Sequence, residues 1–493
     1  MRRLLHLVVP CLTVLSGCYG AGEGVEVPQD EIYFPVGLAL DPRPDHKFLY
    51  VVSSDFDLQY NGGAIQAYSF DAGLEAAIDR DAAATADRDE ACTNGDRDPA
   101  DRLLYPGRCK PLTPQNYQDG SRSSVKIGAF ATDALIRQGD GAEPRLFVPV
   151  RGDSTLHFLD LGDDGSLNCG QENNDGACDD AHRAGDNKSE NSRQLTLGPE
   201  PFAIDGDPKG ETIVVTNQTT GTASLFVTDP ADWSGGPKLK FALASDRIPR
   251  RPVGVAYAPR LADYAGEQNG PSDGAAFLLA FRDSAQIRLV RYAGDDASAS
   301  PRPYLVDGGG VGIDANSIGS DSRGIAVDDS ARRNAIARCA PDDETCLDSA
   351  ALVPLDVYVA NRAPASLLIG RTQPPQEYPY FYDTLPLTTG PSRVVVGQVH
   401  AAHSGALETR VFIVCFDSRR VYIYDPKRSR IETEIFTARG PHAVVVDQER
   451  KLLYVSHFTD SYIGVYSLDL DKPQTYGSLV ASLGAPKAPR SSK

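Results

Sequence analysis

The chain has 493 residues, of which 67 are Asp or Glu and 49 are Lys or Arg, so its formal net charge at pH 7 is −18. This excess of acid argues against nucleic-acid binding, because such proteins need a basic face to replace the counterions of phosphate. A folded chain of this length buries about three quarters of its extended surface, so a large core can form without a metal.

The first residues read MRRLLHLVVPCLTVLSGC, in which two arginines precede an apolar run and small residues precede Cys18. This pattern is typical of a secretory signal, and the apolar run is too short to span a bilayer. The segment LSGC at 15–18 resembles a bacterial lipobox, which implies cleavage before Cys18 and acylation of its sulfur. The alternative is an ordinary signal peptide with a chance cysteine.

We therefore expect a lipoprotein signal peptide over residues 1–17 and an exported chain that lipid on Cys18 anchors to a membrane. Tyr19 rather than Asp follows the cysteine, which resembles lipoproteins sorted to the outer membrane of Gram-negative bacteria. Whether the chain faces the periplasm or the cell surface stays open.

The other cysteines agree with export. Six of them form three close sequence pairs in polar segments, Cys92 with Cys109, Cys169 with Cys178, and Cys339 with Cys346. Proximity favours three local disulfides, while Cys415 in an apolar run is predicted to be a buried thiol. No CxxC motif supports a zinc site.

A phrase of seven residues recurs along the chain. Each copy is followed by a run rich in β-branched and aromatic residues, then by a turn, and then by a run in which apolar and polar residues alternate. Copies begin at residues 35, 201, 252, 322, 391 and 441, and the weakest copy, RSSVKIG, begins at residue 122. These are strand and hairpin signals. Seven such units predict an all-β fold, a seven-bladed β-propeller of four-stranded antiparallel blades with long polar loop insertions.

The units resemble the YVTN repeat family of seven-bladed propellers, through VVTN at 214–217, YVAN at 358–361 and YVSH at 454–457. The resemblance implies a propeller over residues 32–485, after a tether at 18–31 and before a disordered tail at 486–493. It implies little about function, because the family includes enzymes, binding proteins and many other exported proteins.

We name the strands of a blade A to D from the channel outward. Propeller geometry then assigns every long insertion, including 260–274 and the glycine-rich stretch 295–320, to the face that carries the A–B and C–D loops. Three insertions are acidic, with net charges of −5 over 71–121, −5 over 162–193 and −2 over 329–350. They are either solvated loops, or a docking face for an envelope protein. Residues 160–180 also offer oxygen ligands for a structural calcium ion, although their spacing does not match an EF-hand; no other cofactor is expected.

The opposite face carries the mouth of the channel, where polar residues of several repeats are predicted to converge. The candidates for ligand binding are Arg151, Asn217, Arg282, Asn361, Arg362 and His457 near the ends of B strands, with Arg323 and His442 at the second position of the A phrase. A guanidinium fork suits a carboxylate or phosphate, so a small anionic ligand is expected. The alternative is that Arg151 and Arg282 only pair with Asp153 and Asp283 in their own turns.

Catalytic motifs are sparse, since GxSxG, HExxH, P-loop and CxxCH sequences are absent from the chain. The HAAH pair at 400–403 lacks a third ligand. We therefore expect a binding or scaffolding module of the cell envelope, whose channel mouth lies nearer the membrane than its insertions. The alternative is a periplasmic hydrolase or lactonase-like enzyme with His442 and His457 as acid and base.

Overall fold

The computed structural model describes residues 25–45, 47–70, 124–139, 141–229, 233–260, 263–264, 275–294, 304–312 and 321–484. Within these residues, short strands form seven antiparallel sheets whose inner strands contact one another in succession around a ring. The seven-bladed β-propeller is thereby confirmed. No helix in the described part of the chain is long and apolar enough to cross a membrane.

Each blade is one continuous segment of the chain, and its strands pair in sequence order. Blade 1 contains β1 (Pro35–Leu40), β2 (Phe48–Ser53), β3 (Gly63–Ser69) and β4 (Ser124–Ile127). Blade 2 contains β5 (Leu135–Arg137), β6 (Arg145–Val150), β7 (Thr155–Leu161) and two short outer strands that both pair with β7, namely β8 (Leu167–Asn168) and β9 (Arg183–Ala184). Blade 3 contains β10 (Pro201–Gly206), β11 (Thr212–Asn217), β12 (Thr222–Val227) and β13 (Lys238–Leu243).

The remaining four blades follow the same plan. Blade 4 contains β14 (Pro252–Ala258), β15 (Ala276–Phe281), β16 (Gln286–Ala293) and β17 (Tyr304–Gly312), and blade 5 contains β18 (Ser322–Asp328), β19 (Asp356–Arg362), β20 (Ala365–Gln373) and β21 (Tyr378–Pro386). Blade 6 contains β22 (Pro391–His400), β23 (Leu407–Cys415), β24 (Arg420–Asp425) and β25 (Arg430–Phe436), and blade 7 contains β26 (Pro441–Asp447), β27 (Leu452–His457), β28 (Tyr462–Ser467) and β29 (Leu479–Leu483). Helices α1 (Ser330–Ile336) and α2 (Glu344–Ala351) and four single 3-10 turns at Gln171–Asn173, Asp180–His182, Ser192–Gln194 and Trp233–Gly235 complete the described elements.

The predicted start of the second repeat was wrong. Residues of RSSVKIG form β4, which pairs with β3 as the outermost strand of blade 1. The inner strand of blade 2 is instead β5. Ala131, which lies before β5, bridges Val150 at the end of the B strand, and the first residues of the other inner strands pair with the ends of their B strands in the same way. The segment ATDALIR at 131–137 lacks the initial proline that most other copies have, and it carries a charged residue at the third position, so its sequence does not match the repeat.

The core lies between the blades. Every residue of β2, β6, β11, β15 and β27 is buried, because a B strand has neighbouring blades against both faces of its sheet. Outer strands such as β17 and β21 have one fully buried residue each, and their other residues are partly or fully exposed. The near-continuous apolar B strands, rather than alternating ones, are therefore the sequence signal of this packing.

Contacts among the described parts of the insertions place those parts on one face, as propeller geometry predicts. Arg43 in the A–B loop of blade 1 pairs with Asp163 in the C–D loop of blade 2 at 2.6 Å. Arg332 of α1, in the A–B insertion of blade 5, donates to the carbonyl of Pro259 at 2.7 Å and pairs with Glu377 at 2.9 Å. The glycine-rich stretch 295–320 is only partly an insertion, since β17 lies within it.

Two of the three predicted disulfides are present, Cys169–Cys178 and Cys339–Cys346, and Cys415 is a buried thiol. Cys92 and Cys109 lie outside the described residues, as do Cys18, the signal peptide and the tail from residue 486.

Acidic side chains of 160–180 take separate partners, since Asp160 pairs with Arg145, Asp163 with Arg43, and Asp179 with His182. Among the described residues no group of three or more His, Cys, Asp or Glu side chains is arranged to hold a metal ion.

Blades 7 and 1 close the ring without exchanging a strand. Ile32 and Leu38 of the N-terminal part pack with Val480 and Leu483 of the last strand in one buried cluster. The backbone N–H of Phe34 also donates to the Ser461 hydroxyl at 3.2 Å. Side-chain packing thus holds the two ends of the propeller together.

Candidate functional site

The inner strands place equivalent residues around the channel mouth. The first residue of each phrase pairs with the end of its B strand, in the pairs Pro35–Ser53, Ala131–Val150, Pro201–Asn217, Pro252–Phe281, Ser322–Asn361, Pro391–Cys415 and Pro441–His457. In six blades the register shifts directly after this pair. Such a bulge turns the next side chains out of the ladder, here toward the channel.

A cavity of about 330 Å³ lies at this mouth. We call it the mouth cavity, and it is lined chiefly by second and third residues of the phrases of blades 2 to 7, namely Thr132, Asp133, Phe202, Ala203, Val253, Gly254, Arg323, Gly324, Ser392, Arg393 and His442, with Arg362, Phe416 and Asp417 from the B–C turns. Three predicted site residues, Arg323, Arg362 and His442, are thus brought together. The volume suits a small ligand.

An ion pair crosses the channel inside the mouth cavity. Arg393 of blade 6 donates to the carboxylate of Asp133, two residues before β5 of blade 2, at 2.9 Å. The third phrase position is Gly or Ala in the other five blades, so these two charged side chains extend into space that small residues leave open. Burial raises the pKa of Asp133, and the neighbouring Arg393 charge opposes that rise.

The other two arginines of the mouth cavity are also paired. Arg323 donates to Asp321 at 3.1 Å within blade 5. Arg362 donates to Asp417 at 2.6 Å, which links the B–C turns of blades 5 and 6. Each guanidinium therefore already has a carboxylate partner, and an anionic ligand must share or replace that partner.

His442 lies at the edge of the cavity with a neutral ring. Its Nδ1 is 3.1 Å from the carbonyl oxygen of Val36, so the Nδ1 proton is donated there. Burial, helped by the nearby positive charge of Arg393, lowers the pKa of His442 to about 3. At neutral pH the ring contributes no charge to the site.

Four of the other predicted site residues serve structural contacts near the mouth. Arg151 pairs with Glu200 of the neighbouring blade. The Asn217 amide donates to Gly198 O at 2.8 Å, and the Asn361 amide donates to Pro364 O at 2.8 Å. His457 is fully buried within blade 7. None of these four residues lines the mouth cavity.

Arg282 does not line the mouth cavity either, and its backbone N–H donates to Arg251 O at 2.9 Å. The predicted in-turn pairs of arginine and aspartate are not formed: Asp153 accepts from Thr155 at 2.6 Å and contacts His157 at 3.0 Å, while Asp283 pairs with Arg251 at 3.3 Å. The HAAH histidine His403 lies on the insertion face, where its backbone N–H donates to Asp471 at 2.7 Å.

Phenylalanine side chains continue the site beyond the cavity. We call Phe34, Phe56, Phe130, Phe416 and Phe458 the phenylalanine cluster; its neighbouring ring centroids lie 5.2 to 6.2 Å apart. Phe416 lines the cavity, and Phe458 is 6.0 Å from the ring of His442. Phe56 is 53% exposed.

Sequence reasoning missed Arg393, Asp133 and most of the phenylalanine cluster. The sequence comparison considered the second position of the phrase, whereas Arg393 stands at the third. Asp133 belongs to the phrase that the repeat search placed in the wrong segment. The signal that could have identified both residues is the third position of the phrase, which holds glycine or alanine in every blade except blades 2 and 6.

No protein-family model and no curated protein sequence matches the chain. Similar solved structures include a putative 6-phosphogluconolactonase from Bacteroides uniformis, with 14% identity over 82% of this chain and 86% of that one and a TM-score of 0.44. The periplasmic gluconolactonase of Pseudomonas aeruginosa has 14% identity, covers 83% of this chain and 87% of its own, and has a TM-score of 0.44. Hydrazine synthase of Kuenenia stuttgartiensis has 12% identity, covers 91% and 99%, and has a TM-score of 0.48. Likenesses this distant assign neither a ligand nor a reaction, and membership of the YVTN repeat family stays a prediction.

Proposed function

We propose that the chain is a lipid-anchored binding module of the cell envelope, of the YVTN repeat type, whose mouth cavity holds a small anionic ligand. The observation that supports this most is the convergence of Arg323, Arg362 and Arg393 on one cavity of about 330 Å³. Such a concave site with a few convergent polar groups is the usual form of a small-molecule site.

Arginine side chains in the cavity favour an anion. Three guanidinium groups line it, each paired with one carboxylate, of Asp321, Asp417 or Asp133, and His442 is neutral. The cavity is therefore close to neutral on a chain whose net charge is strongly negative. A ligand carboxylate or phosphate can replace Asp133 as the partner of Arg393. The guanidinium then stays paired and can bind two oxygens of the ligand at once.

The proposed anchor agrees with the position of the N-terminal segment. Val25 bridges Tyr60 in the B–C loop of blade 1, which lies on the mouth face. Val25 is only seven positions after Cys18, a reach of at most about 25 Å. The mouth would then lie near the membrane and the acidic insertions would point away, toward a protein partner. The two disulfides suit an oxidising compartment such as the periplasm.

Calorimetric titration of the mature protein with gluconate and benzoate tests anion binding. Arg393→Gln should weaken binding about tenfold or more, because a charge-assisted hydrogen bond is lost. Asp133→Asn should strengthen it, because the competing carboxylate is gone. Arg371→Gln, on an exposed arginine outside the cavity, is the matched control and should change nothing. If neither anion binds at millimolar concentration, or if Arg393→Gln binds as the wild type does, the proposal is wrong.

A lactonase-like hydrolase is the second candidate, because the Nδ1 contact of His442 leaves the lone pair on Nε2 of a ring that lines the cavity. A pKa of about 3 makes that nitrogen a weak base at neutral pH, which disfavours the role. Hydrolysis of glucono-lactone that His442→Gln abolishes while gluconate still binds would establish the enzyme instead.

A further inference from the structure

The mouth has two chemically different halves. Around blades 2 to 6 the rim carries ion pairs, including Arg151–Glu200, Arg323–Asp321 and Arg362–Asp417. From blade 6 through blades 7 and 1 to blade 2 it carries the phenylalanine cluster. We propose that the ligand is an aromatic carboxylate, whose carboxylate binds Arg393 and Arg323 and whose ring packs on the phenylalanine cluster. This inference rests on the proposed function.

A built loop holds the most exposed ring of the cluster over the mouth. The B–C loop of blade 1 spans the nine residues between Ser53 and Gly63, whereas four residues connect the same strands in blade 3. The side chain of Asp55 accepts from the Tyr60 N–H at 3.1 Å, and the Leu58 N–H donates to the Asp55 carbonyl at 3.3 Å. These bonds fix Phe56 at the tip of the loop.

The residue directly before an inner phrase adopts positive φ in several blades. Phe34 and Phe130 have φ angles of 43° and 60°, in the left-handed region that disfavours residues with a Cβ. At the same position Glu200 and Arg251 of blades 3 and 4 each have a φ of 54°, and blades 6 and 7 use Gly390 and Gly440, which adopt positive φ freely. The conformation therefore belongs to the repeat, and in blades 1 and 2 it places a phenylalanine ring at the mouth.

Backbone hydrogen bonds connect Phe34 and Phe130 to this B–C loop. Phe34 O accepts from the Ser54 N–H at 3.2 Å, and Ser54 O accepts from the Phe130 N–H at 2.7 Å. The rings of Phe34, Phe56 and Phe130 are therefore positioned by one hydrogen-bonded unit, as a preorganised surface would be.

The composition of the cluster favours an aromatic ring over a sugar. Its five rings are all phenylalanine, with neither a hydroxyl nor an indole N–H to bind sugar hydroxyls. The nearby hydroxyls already have partners, because Thr132 donates to Phe202 O at 2.7 Å and Ser392 donates to Val414 O at 3.3 Å. Interplanar angles of 53° to 87° are the tilted and edge-to-face contacts to which another aromatic ring adds well.

The two halves meet where both ends of one small molecule can be held. Phe416 directly precedes Asp417, the partner of Arg362, and both residues line the cavity. His442 also lines the cavity and contacts Phe458. A ring seated on Phe416 and Phe458 therefore lies beside the arginine groups that bind its carboxylate.

The test compares three probes by calorimetry on the mature protein: 2-naphthoate, gluconate and 2-naphthalenemethanol. The first has ring and charge, the second only charge and the third only the ring. We expect 2-naphthoate to bind at least about tenfold more tightly than either of the others. Phe56→Ser should reduce 2-naphthoate affinity about fivefold and leave gluconate affinity unchanged.

Phe436→Ser is the matched control, because Phe436 is 63% exposed at the mouth-face end of the outermost strand of blade 6, three strands outward from the channel and outside the mouth cavity. Phe416→Leu is the second cluster variant, and because Phe416 also lines the cavity it should weaken 2-naphthoate binding more than gluconate binding. Gluconate binding at least as tight as that of 2-naphthoate, or equal 2-naphthoate affinity in Phe56→Ser and Phe436→Ser, would overturn the aromatic inference while the anion site stands. Absence of binding by both carboxylates would overturn the proposed function as well.

Discussion

Charged side chains inside the channel mouth are costly to place, so the Asp133–Arg393 pair is the most informative residue-scale feature. The side chains of Asp133 and Arg393 are only 16% and 24% exposed. A half-buried ion pair stabilises a fold weakly compared with apolar packing, and removing one partner leaves a poorly solvated charge. A pair kept in that position fits a site that exchanges its carboxylate for one from a ligand.

His457 carries a prediction about pH. Burial lowers its pKa to about 3, so the folded protein keeps the ring neutral while the unfolded chain takes up a proton below about pH 6.5. The unfolded state then binds more protons, so the stability due to His457 is complete above pH 6.5 and decreases as the pH falls toward 3. At pH 5 the loss is about 2 kcal/mol.

Urea unfolding at pH 7.5 and pH 5.0 measures this loss. Between the two pH values, His457→Gln should lose about 2 kcal/mol less unfolding free energy than the wild type. His442 has the same sign of shift and is present in both proteins, so it cancels in the comparison. An identical pH dependence in the two proteins would show that His457 is protonated without cost.

At this scale the sequence predicted part of the site. Arg323, Arg362 and His442 could be found because they follow recognisable phrases, and the register of a strand fixes which residues share an end. Asn217, Asn361 and His457 stand near the same ends but bond within their own blades, as the Asn361 contact with Pro364 illustrates. A one-dimensional pattern does not distinguish a side chain that faces the channel from one that satisfies a turn.

The inner strands approach one another so closely that their glycines determine blade packing. A Cβ built on Gly324 of β18 would lie 2.9 Å from Arg393 Cα and 3.0 Å from Val394 N on the next inner strand. Both are backbone atoms, so they cannot move aside as a flexible side chain can. Gly324→Ala should therefore destabilise the protein by about 1–3 kcal/mol.

The matched control is Gly312→Ala in β17, where a Cβ would meet no atom within 4 Å. Its melting temperature should remain close to that of the wild type. Differential scanning calorimetry of both variants checks the contrast. Equal melting temperatures for Gly324→Ala and the wild type would mean that blades 5 and 6 are packed more loosely than the structure shows.

At the element scale, apolar B strands and the hairpins after them were predictable, whereas short or atypical elements were not. The inner strand β5 has only three residues and lacks the repeat phrase. Helix α1 lies in a polar insertion, and its buried anchor is the charged Arg332, which donates to Val353 O at 2.7 Å. An apolar pattern cannot reveal a helix whose main contact is a guanidinium group.

The whole molecule separates its charges between two faces. Acidic insertions such as 162–193 expose carboxylates on one face, including Asp163 and Asp180. The other face pairs its acids with arginines around the mouth cavity. This arrangement was predictable because antiparallel strands in sequence order fix which loops share a face, and it places at the mouth the arginine side chains that an anion can contact.

A crystal structure of the mature protein with 4-iodobenzoate is the most direct test of the central claim that the mouth cavity binds a small anion. Anomalous scattering from iodine locates the ring, and the density of the bound molecule locates its carboxylate. We predict the carboxylate within hydrogen-bond distance of the Arg393 or Arg323 guanidinium, with iodine against Phe416, Phe458 or Phe56. A mouth cavity free of iodine at saturating ligand, or iodine bound only on the insertion face, would contradict the account.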